Sequence, residues 1–149
     1  MLAVAIQNIN ASYDLIKAAK EYVLCVPGPN LADETLKCGL ESDSEVDKVK
    51  AFKMRLIRSE KIGVPALRDA IANIEIVKED ELLTGDHILV VGRAVNFRVN
   101  AESGALPLLS VGPDTTGYSV LVRSGIHRIG TVKRSMTGRR VSPEGPNMP

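Results

Sequence analysis

The sequence is poor in aromatic residues: its 149 residues include no tryptophan, three tyrosines and two phenylalanines. A surface that stacks nucleic-acid bases needs several exposed rings, so this class of binding protein is disfavoured. The formal net charge is only +1, which gives no electrostatic case for a nucleic-acid or acidic partner. With so few rings, the core has to be built from Val, Ile, Leu and Ala.

Cysteine and histidine are also scarce. Cys25 and Cys38 form neither a disulfide framework nor a Cys-x-x-Cys pair, which favours reduced thiols and a cytoplasmic location. His87 and His127 lie far apart without a cluster of further ligands, so no metal site is predicted. The N-terminal apolar run, residues 2–6, is too short for a signal sequence or a membrane span. It starts without a polar leader, which is typical of a domain interior, so we expect earlier strands of the domain to precede it; an ordinary N-terminal edge strand is the alternative.

Short helices are predicted in the first part of the chain. A strand over residues 2–7 leads to a helix that Asn10 or Ser12 caps and that ends near Lys20. A strand from Tyr22 to Val26 and a helix within residues 31–40 follow. Residues 41–61 change from acidic to basic, which predicts a third short helix beginning near Ser44. A charged loop beside an anionic ligand is the alternative for this stretch.

From Ile62 onward the apolar pattern favours strands. A run with period two over residues 72–77 leads to a hairpin turn at residues 84–86 and then to a long strand, residues 87–100. The first half of that strand is continuously apolar and predicts full burial; the second half, with Val95, Phe97 and Val99, predicts half burial. Gly92 lies between them and indicates a bulge, a barrel corner or a close backbone approach. Together these features predict one antiparallel barrel domain over residues 1–135 and a disordered polar tail over residues 136–149.

Three blocks of sequence resemble a known family. Gly85-Asp86-His87, followed after four residues by Gly92, is similar to the GDHxxxxGxV motif of flavin reductase-like proteins, although Ala94 replaces the valine. Two further blocks, in family order, are "YDLIKAAKEYVLCVP" and "CGLESDSEVDK". The resemblance implies a mainly β, antiparallel Greek-key split barrel with a few short helices, the FMN-binding split barrel. Relative to that family, the chain lacks the strands that would precede Met1.

The resemblance also implies a function and a set of site residues. The implied activity is hydride transfer from NAD(P)H to flavin, with FMN as cofactor, in a cytoplasmic homodimer that binds neither nucleic acid nor membrane. His87 is the implied catalytic residue. The implied cofactor-binding residues are Asn10, Ser12, Cys25, Ser42, Asp47, Lys48, Asp86 and His87. Cys25 stands where the family usually has asparagine.

Other interpretations of the same residues remain open. The chain could be a flavoredoxin-type FMN electron carrier that does not oxidise NAD(P)H, or a non-catalytic dimerisation and binding domain. His87 could be a strand-entry histidine that bonds a backbone carbonyl, and Ser12 could simply cap its helix. Cys25 and Cys38 could be buried apolar thiols. Dimerisation is expected because residues 2–6 would form an exposed strand edge, and unpaired edges recruit partners.

Overall fold

The computed structural model describes residues 1–40, 46–100, 107–113, 117–122 and 125–131, with side chains described through Leu108. The strands are β1 (Leu2–Gln7), β2 (Glu21–Val26), β3 (Leu56–Ile57), β4 (Ala66–Leu67), β5 (Ala72–Thr84), β6 (His87–Val99), β7 (Leu109–Pro113), β8 (Gly117–Val122) and β9 (Gly125–Thr131). The helices are α1 (Ser12–Ala18), α2 (Ala32–Leu40) and α3 (Lys48–Ala51), with one 3₁₀ turn at Pro29–Leu31. The predicted mainly β fold with a few short, early helices is confirmed.

The long β5–β6 hairpin is the centre of the main sheet. In the described part of the chain, this sheet has the strand order β1-β6-β5-β2, and every pairing in it is antiparallel. Strands β3 and β4 form a small hairpin, and β7, β8 and β9 form a third antiparallel group. The main sheet is curled, as expected for a split barrel, and β1 lies at one of its edges.

The core lies on one face of the main sheet. Antiparallel register places Tyr22 beside Ile76 and Val4 beside Val90, so alternate residues of four strands meet on the same side. Tyr22, Ile76, Ile88 and Val90 are buried there. Further apolar residues pack around them, including two from α1: Leu2, Val4, Ile6, Tyr13, Ile16, Leu24 and Ile74.

Gly92 lies at a β-bulge and at a close approach of two strands, two of the roles that its position in a strand predicts. It pairs with Lys78 next to a register shift between Lys78 and Asp80, so the hairpin carries a bulge at this point. An added Cβ would collide with the Ile76 side chain and would lie 3.0 Å from the Val77 carbonyl oxygen. The glycine therefore allows two strands to approach closely where the long hairpin bends.

The opposite face of β5 is covered by the segment that contains β3 and β4. The Asn73 amide donates to the Leu67 carbonyl at 2.9 Å and accepts from the Leu67 N–H at 3.2 Å. The Glu75 carboxylate accepts the backbone N–H groups of Glu60 at 2.9 Å and Lys61 at 2.7 Å. These two buried polar side chains attach residues 60–67 to the sheet.

Several local predictions are corrected by the structure. Helix α1 begins at Ser12 after Ala11, without a side-chain cap, because the carbonyl of Asn10 accepts the Tyr13 N–H. The charge gradient yields only one helical turn, α3, capped by Asp47 rather than starting near Ser44. Residues 41–45 and the tail beyond residue 131 lie outside the described part of the chain.

The burial predicted for β6 is also wrong in detail. Residues 87–92 alternate between half-buried and buried, because only one face of the strand contacts the core. In the second half, Phe97 is 72% exposed and Val99 is 57% exposed. The period of two was correct, but the described chain does not cover the apolar face at this end of the hairpin.

Candidate functional site

The first candidate site is the tight turn that joins β5 to β6. Thr84 pairs with His87, which leaves Gly85 and Asp86 as the two central residues of the hairpin. Gly85 has a φ of 66°, and a positive φ at the first central position is typical of a type II′ turn, where glycine is favoured. The turn therefore fixes the direction in which Asp86 and His87 project.

Asp86 links this turn to the end of β1. Its carboxylate accepts a hydrogen bond from Gln7 Nε2 at 3.1 Å, and its backbone carbonyl accepts the Asn8 N–H at 2.9 Å. The carboxylate also contacts His87 Nδ1 at 2.7 Å. The hydrogen bond from His87, followed by that from Gln7, lowers the pKa of Asp86 below its usual value. Asp86 is thus an ionised acceptor that orients the His87 ring.

The contact with Asp86 leaves one ring nitrogen of His87 available. A carboxylate only accepts hydrogen bonds, so Nδ1 carries a proton and donates to Asp86. No residue in the described part of the chain hydrogen-bonds Nε2, and the side chain is 41% exposed. Nε2 can therefore accept a hydrogen bond when the ring is neutral, or donate one when it is protonated.

Asn10 and Ser12 lie on the segment that the Asp86 turn contacts. Asn10 donates its backbone N–H to the Gln7 carbonyl, which closes a turn directly after β1. Ser12 is the first residue of α1, and its hydroxyl makes no hydrogen bond within the described residues. The structure therefore brings the Asn10–Ser12 segment and the Asp86–His87 turn to the same end of the sheet.

Cys25 lies elsewhere. It pairs with Asn73 near the start of β5, whereas His87 pairs with Thr84 at its end. Eleven residues of strand separate these positions, a path of roughly 36 Å at about 3.3 Å per residue. Burial raises the pKa of the Cys25 thiol, and a hydrogen bond with the Leu67 backbone only partly opposes this. Cys25 is thus a half-buried, protonated thiol remote from His87.

The remaining predicted residues belong to α2, α3 and the segment between them. Lys48 donates from Nζ to the Cys38 carbonyl at 2.7 Å, which joins the two helices. The Asp47 carboxylate accepts the Lys50 N–H at 3.2 Å and pairs with Lys50 Nζ at 3.1 Å; these contacts lower its pKa. Asp47 is therefore a helix cap. Ser42 lies outside the described residues.

Sequence reasoning missed several polar residues that the structure brings together. Gln7 contacts Asp86 only because the end of β1 pairs with the start of β6, about eighty positions later. Asn73 and Glu75 occupy alternate positions that a half-buried strand would expose, and no local signal reveals the segment that covers them.

Among the described residues, no group of three or more His, Cys, Asp or Glu side chains is arranged to hold a metal ion. Over the same part of the chain, none of the helices has the length and apolar character needed to cross a membrane.

Comparison with known proteins gives a family match and a sequence relative. Residues 1–114 match the family model described as the flavin reductase like domain. An uncharacterized protein of Archaeoglobus fulgidus is 33% identical over 96 residues, which cover 64% of this chain and 54% of the relative. The chain thus spans about half the length of this relative.

Two solved structures are similar in fold. An FMN-binding protein from Thermus thermophilus, with bound p-hydroxybenzaldehyde, aligns with a TM-score of 0.61 and 22% identity over 85% of this chain and 67% of that chain. The NADH:FAD oxidoreductase SgcE6 of Streptomyces globisporus aligns with a TM-score of 0.59 and 15% identity, covering 71% and 61%. The predicted split-barrel fold class is confirmed by these matches.

Proposed function

The chain belongs to the flavin reductase-like domain family, and on that premise we propose that it binds FMN and transfers a hydride to it from NAD(P)H. The observation that carries this proposal is the oriented ring of His87, whose Nδ1 is held by Asp86 while Nε2 is left for a small molecule. The names of the two structural neighbours, one FMN-binding and one using NADH and FAD, support the choice of ligands.

The polar groups at this end of the sheet fit a flavin. His87 Nε2 and the Ser12 hydroxyl make no hydrogen bonds within the described residues, and Asn10 lies in the turn that leads from β1 to Ser12. We assign His87 to a polar edge of the flavin or of the nicotinamide, and Ser12 and Asn10 to the ribityl or phosphate oxygens. Lys48, on α3, is the cation proposed for the phosphate. Asp47 and Ser42 are kept only as subsidiary candidates, and Cys25 is not assigned to this group because it lies at the other end of β5.

His87 positions and polarises rather than reacting covalently. The bound flavin supplies the redox chemistry, accepting two electrons and a proton equivalent as hydride. The protein must hold the two rings together, and a hydrogen bond from an oriented imidazole contributes to that alignment. Asp86 restricts the ring to one orientation and one tautomer. In this proposal, Asp86 is a positioning residue and His87 is the catalytic residue.

The proposal includes a homodimer. Among the described residues, β1 has a strand neighbour on one side only, so its other backbone edge is open. On the face away from the core, Ala5, Leu89 and Leu82 form a cross-strand apolar row, and Leu82 is 59% exposed. A second copy would cover both features. A cytoplasmic location is also part of the proposal, since the sequence has only two cysteines and no Cys-x-x-Cys pair.

The activity is tested by following NADH and NADPH oxidation by the purified protein, with and without added FMN. The proposal predicts oxidation that requires both the protein and the flavin. Flavin binding without nicotinamide oxidation would instead support a flavoredoxin-type electron carrier. If neither binding nor oxidation is found, the proposed function is wrong and a non-catalytic binding domain becomes the better interpretation.

A further inference from the structure

A cavity of about 440 Å³ lies at the opposite end of the β5–β6 hairpin from His87. It is bounded by β3, by the turn after β4 and by the end of β6. Arg98, on its wall, is eleven residues further along β6 than His87, a path of roughly 36 Å at about 3.3 Å per residue. The residues that line it are Ile57, Arg68, Ala70, Asn73, Arg98, Val99 and Asn100.

Two guanidinium groups at this cavity form no ion pair within the described residues. Neither Arg68 nor Arg98 forms an ion pair within the part of the chain that the structure describes, whereas Arg55 pairs with Asp69 and Arg93 pairs with Glu79. Asp69 follows Arg68 directly, and its pKa is lowered first by hydrogen bonding from Arg55 and then by the charges of Arg55 and Arg68. Its carboxylate is nevertheless engaged by two hydrogen bonds from Arg55 and makes none with Arg68. The cavity therefore carries an excess positive charge.

The nearest buried polar groups form no direct contact with either guanidinium group. Both the oxygen and the nitrogen of the Asn73 amide are bonded to the Leu67 backbone. The Glu75 carboxylate, on the same face of β5, keeps its negative charge, but its oxygens are bonded by the N–H groups of Glu60 and Lys61 rather than by an arginine. An anion in the cavity would thus meet two unpaired guanidinium groups, which present planar arrays of donors suited to oxyanions.

We propose that this cavity binds a small organic molecule that carries a phosphate or carboxylate group. Arg68 and Arg98 contact the oxyanion, while Ile57, Ala70 and Val99 supply an apolar wall for the rest of the molecule. The separation along β6 makes this a site additional to the one proposed around His87. Its occupant need not be a flavin, and the inference does not depend on the proposed oxidoreductase activity.

Calorimetric titration with three probes tests the proposal on the full chain. Phenyl phosphate, benzoate and inorganic phosphate separate the contribution of the anion from that of the apolar wall. We expect saturable binding of one molecule per chain, with an aromatic ligand binding more tightly than inorganic phosphate. Preference for phenyl phosphate over benzoate identifies a phosphate site, and the reverse preference identifies a carboxylate site.

Substitutions locate the site. Arg68→Gln and Arg98→Gln should each weaken binding of the preferred probe by about tenfold or more, since each removes charge-assisted hydrogen bonds. Arg58→Gln is the matched control, because Arg58 is exposed, forms no ion pair within the described residues and lies outside the cavity lining. The control should change affinity less than about twofold, as expected for a screened surface charge.

Three results would overturn the inference. Equal losses in all three arginine variants would indicate diffuse surface charge, and an absence of saturable binding would exclude a site. Inorganic phosphate binding as tightly as both aromatic probes would remove the organic ligand from the proposal. Thermal unfolding of each variant, compared with wild type, shows whether an affinity loss arises from misfolding. Because no nicotinamide or flavin is present in the titration, failure here leaves the activity around His87 untouched.

Discussion

At the scale of single residues, Gly92 is required by packing rather than by an unusual φ angle. Its Cα lies so close to the neighbouring strand that a Cβ would contact the Ile76 side chain, the Tyr22 hydroxyl and the Val77 carbonyl. Two of these groups belong to buried core residues, so little space is available for relaxation. The family motif and the core therefore require glycine at the same position.

Gly92→Ala should destabilise the protein by about 1–3 kcal/mol or more, the usual cost of overpacking a dense core. Denaturant unfolding measures the change. Gly39→Ala is the control, because nothing lies within 4 Å of the added Cβ in helix α2. It should leave stability unchanged or raise it by about 0.5–1 kcal/mol, since alanine favours helix. Equal destabilisation of both variants would show that close packing is not the reason for Gly92.

Substitutions of His87 and Asp86 distinguish the proposed catalytic role of His87 from the positioning role of Asp86. His87→Ala should lower the rate of flavin reduction, or flavin affinity, by about three- to tenfold, the equivalent of one neutral hydrogen bond. Its unfolding midpoint should remain close to wild type, because the side chain is partly exposed and outside the core. Asp86→Asn should retain the turn but lower the rate, because an amide can donate to Nδ1 as well as accept from it and no longer fixes the tautomer. A lower unfolding midpoint with unchanged turnover per folded molecule would instead make His87 structural.

At the scale of elements, β5 packs against the core through apolar side chains on one face and holds residues 60–67 through polar side chains on the other. One face contributes Ile74 and Ile76 to the core, and the other contributes the polar anchors Asn73 and Glu75. Burial acts to raise the pKa of Glu75, but hydrogen bonds from the backbone N–H groups of Glu60 and Lys61 and from Asn96 outweigh it, so that the pKa is lowered. The ionised carboxylate thus holds the covering segment in place.

The pH dependence of stability tests this role. Because the folded pKa of Glu75 lies below the unfolded value of about 4.3, its contribution is fully present above that value. The contribution is lost as the pH falls through the folded pKa.

Glu75→Gln should lower the free energy of unfolding by about 1–3 kcal/mol at neutral pH, and its difference from wild type should shrink below about pH 4. Glu79→Gln, on the exposed part of the same strand, should show a much smaller loss. A loss for Glu75→Gln that is unchanged at low pH would contradict the role of the charge.

Strands and turns were predictable from the sequence where residues close together in the chain determine them. The bounds of β1 match the sequence prediction, and the hairpin turn follows directly from Thr84, Gly85 and Asp86. The burial of Glu75 and the exposure of Phe97 were not predictable, because alternation defines two faces without showing which one is covered. Likewise, the family motifs identified Cys25 and His87, but only strand pairing shows that they lie at opposite ends of β5.

At the scale of the whole molecule, the open edge of β1 is the place where we expect a second copy of the chain to bind. Ala3 and Ala5 are exposed on the face of β1 away from the core, next to the backbone edge that has no strand neighbour among the described residues. A lysine at such a position hinders strand-to-strand association. The edge is therefore both the reason to expect a dimer and the place to disrupt it.

Sedimentation of wild type at micromolar concentration should show a dimer, and Ala5→Lys should shift it toward monomer. Ala18→Lys adds the same charge at an exposed position in α1 and should leave the dimer intact. A monomeric wild type, or equal shifts in both variants, would remove the β1 edge from the assembly.

The central claim is that flavin binds around His87, and titration of FMN fluorescence with the protein tests it most directly. The absence of tryptophan makes the flavin the natural fluorescent reporter. The account predicts a saturable change with one flavin per chain, weakened by His87→Ala and retained in Arg98→Gln. FMN also carries a phosphate, so the cavity lined by Arg68 and Arg98 is the alternative site at which it could bind. Binding lost in Arg98→Gln but unaffected by His87→Ala, or no saturable change at all, would contradict the account.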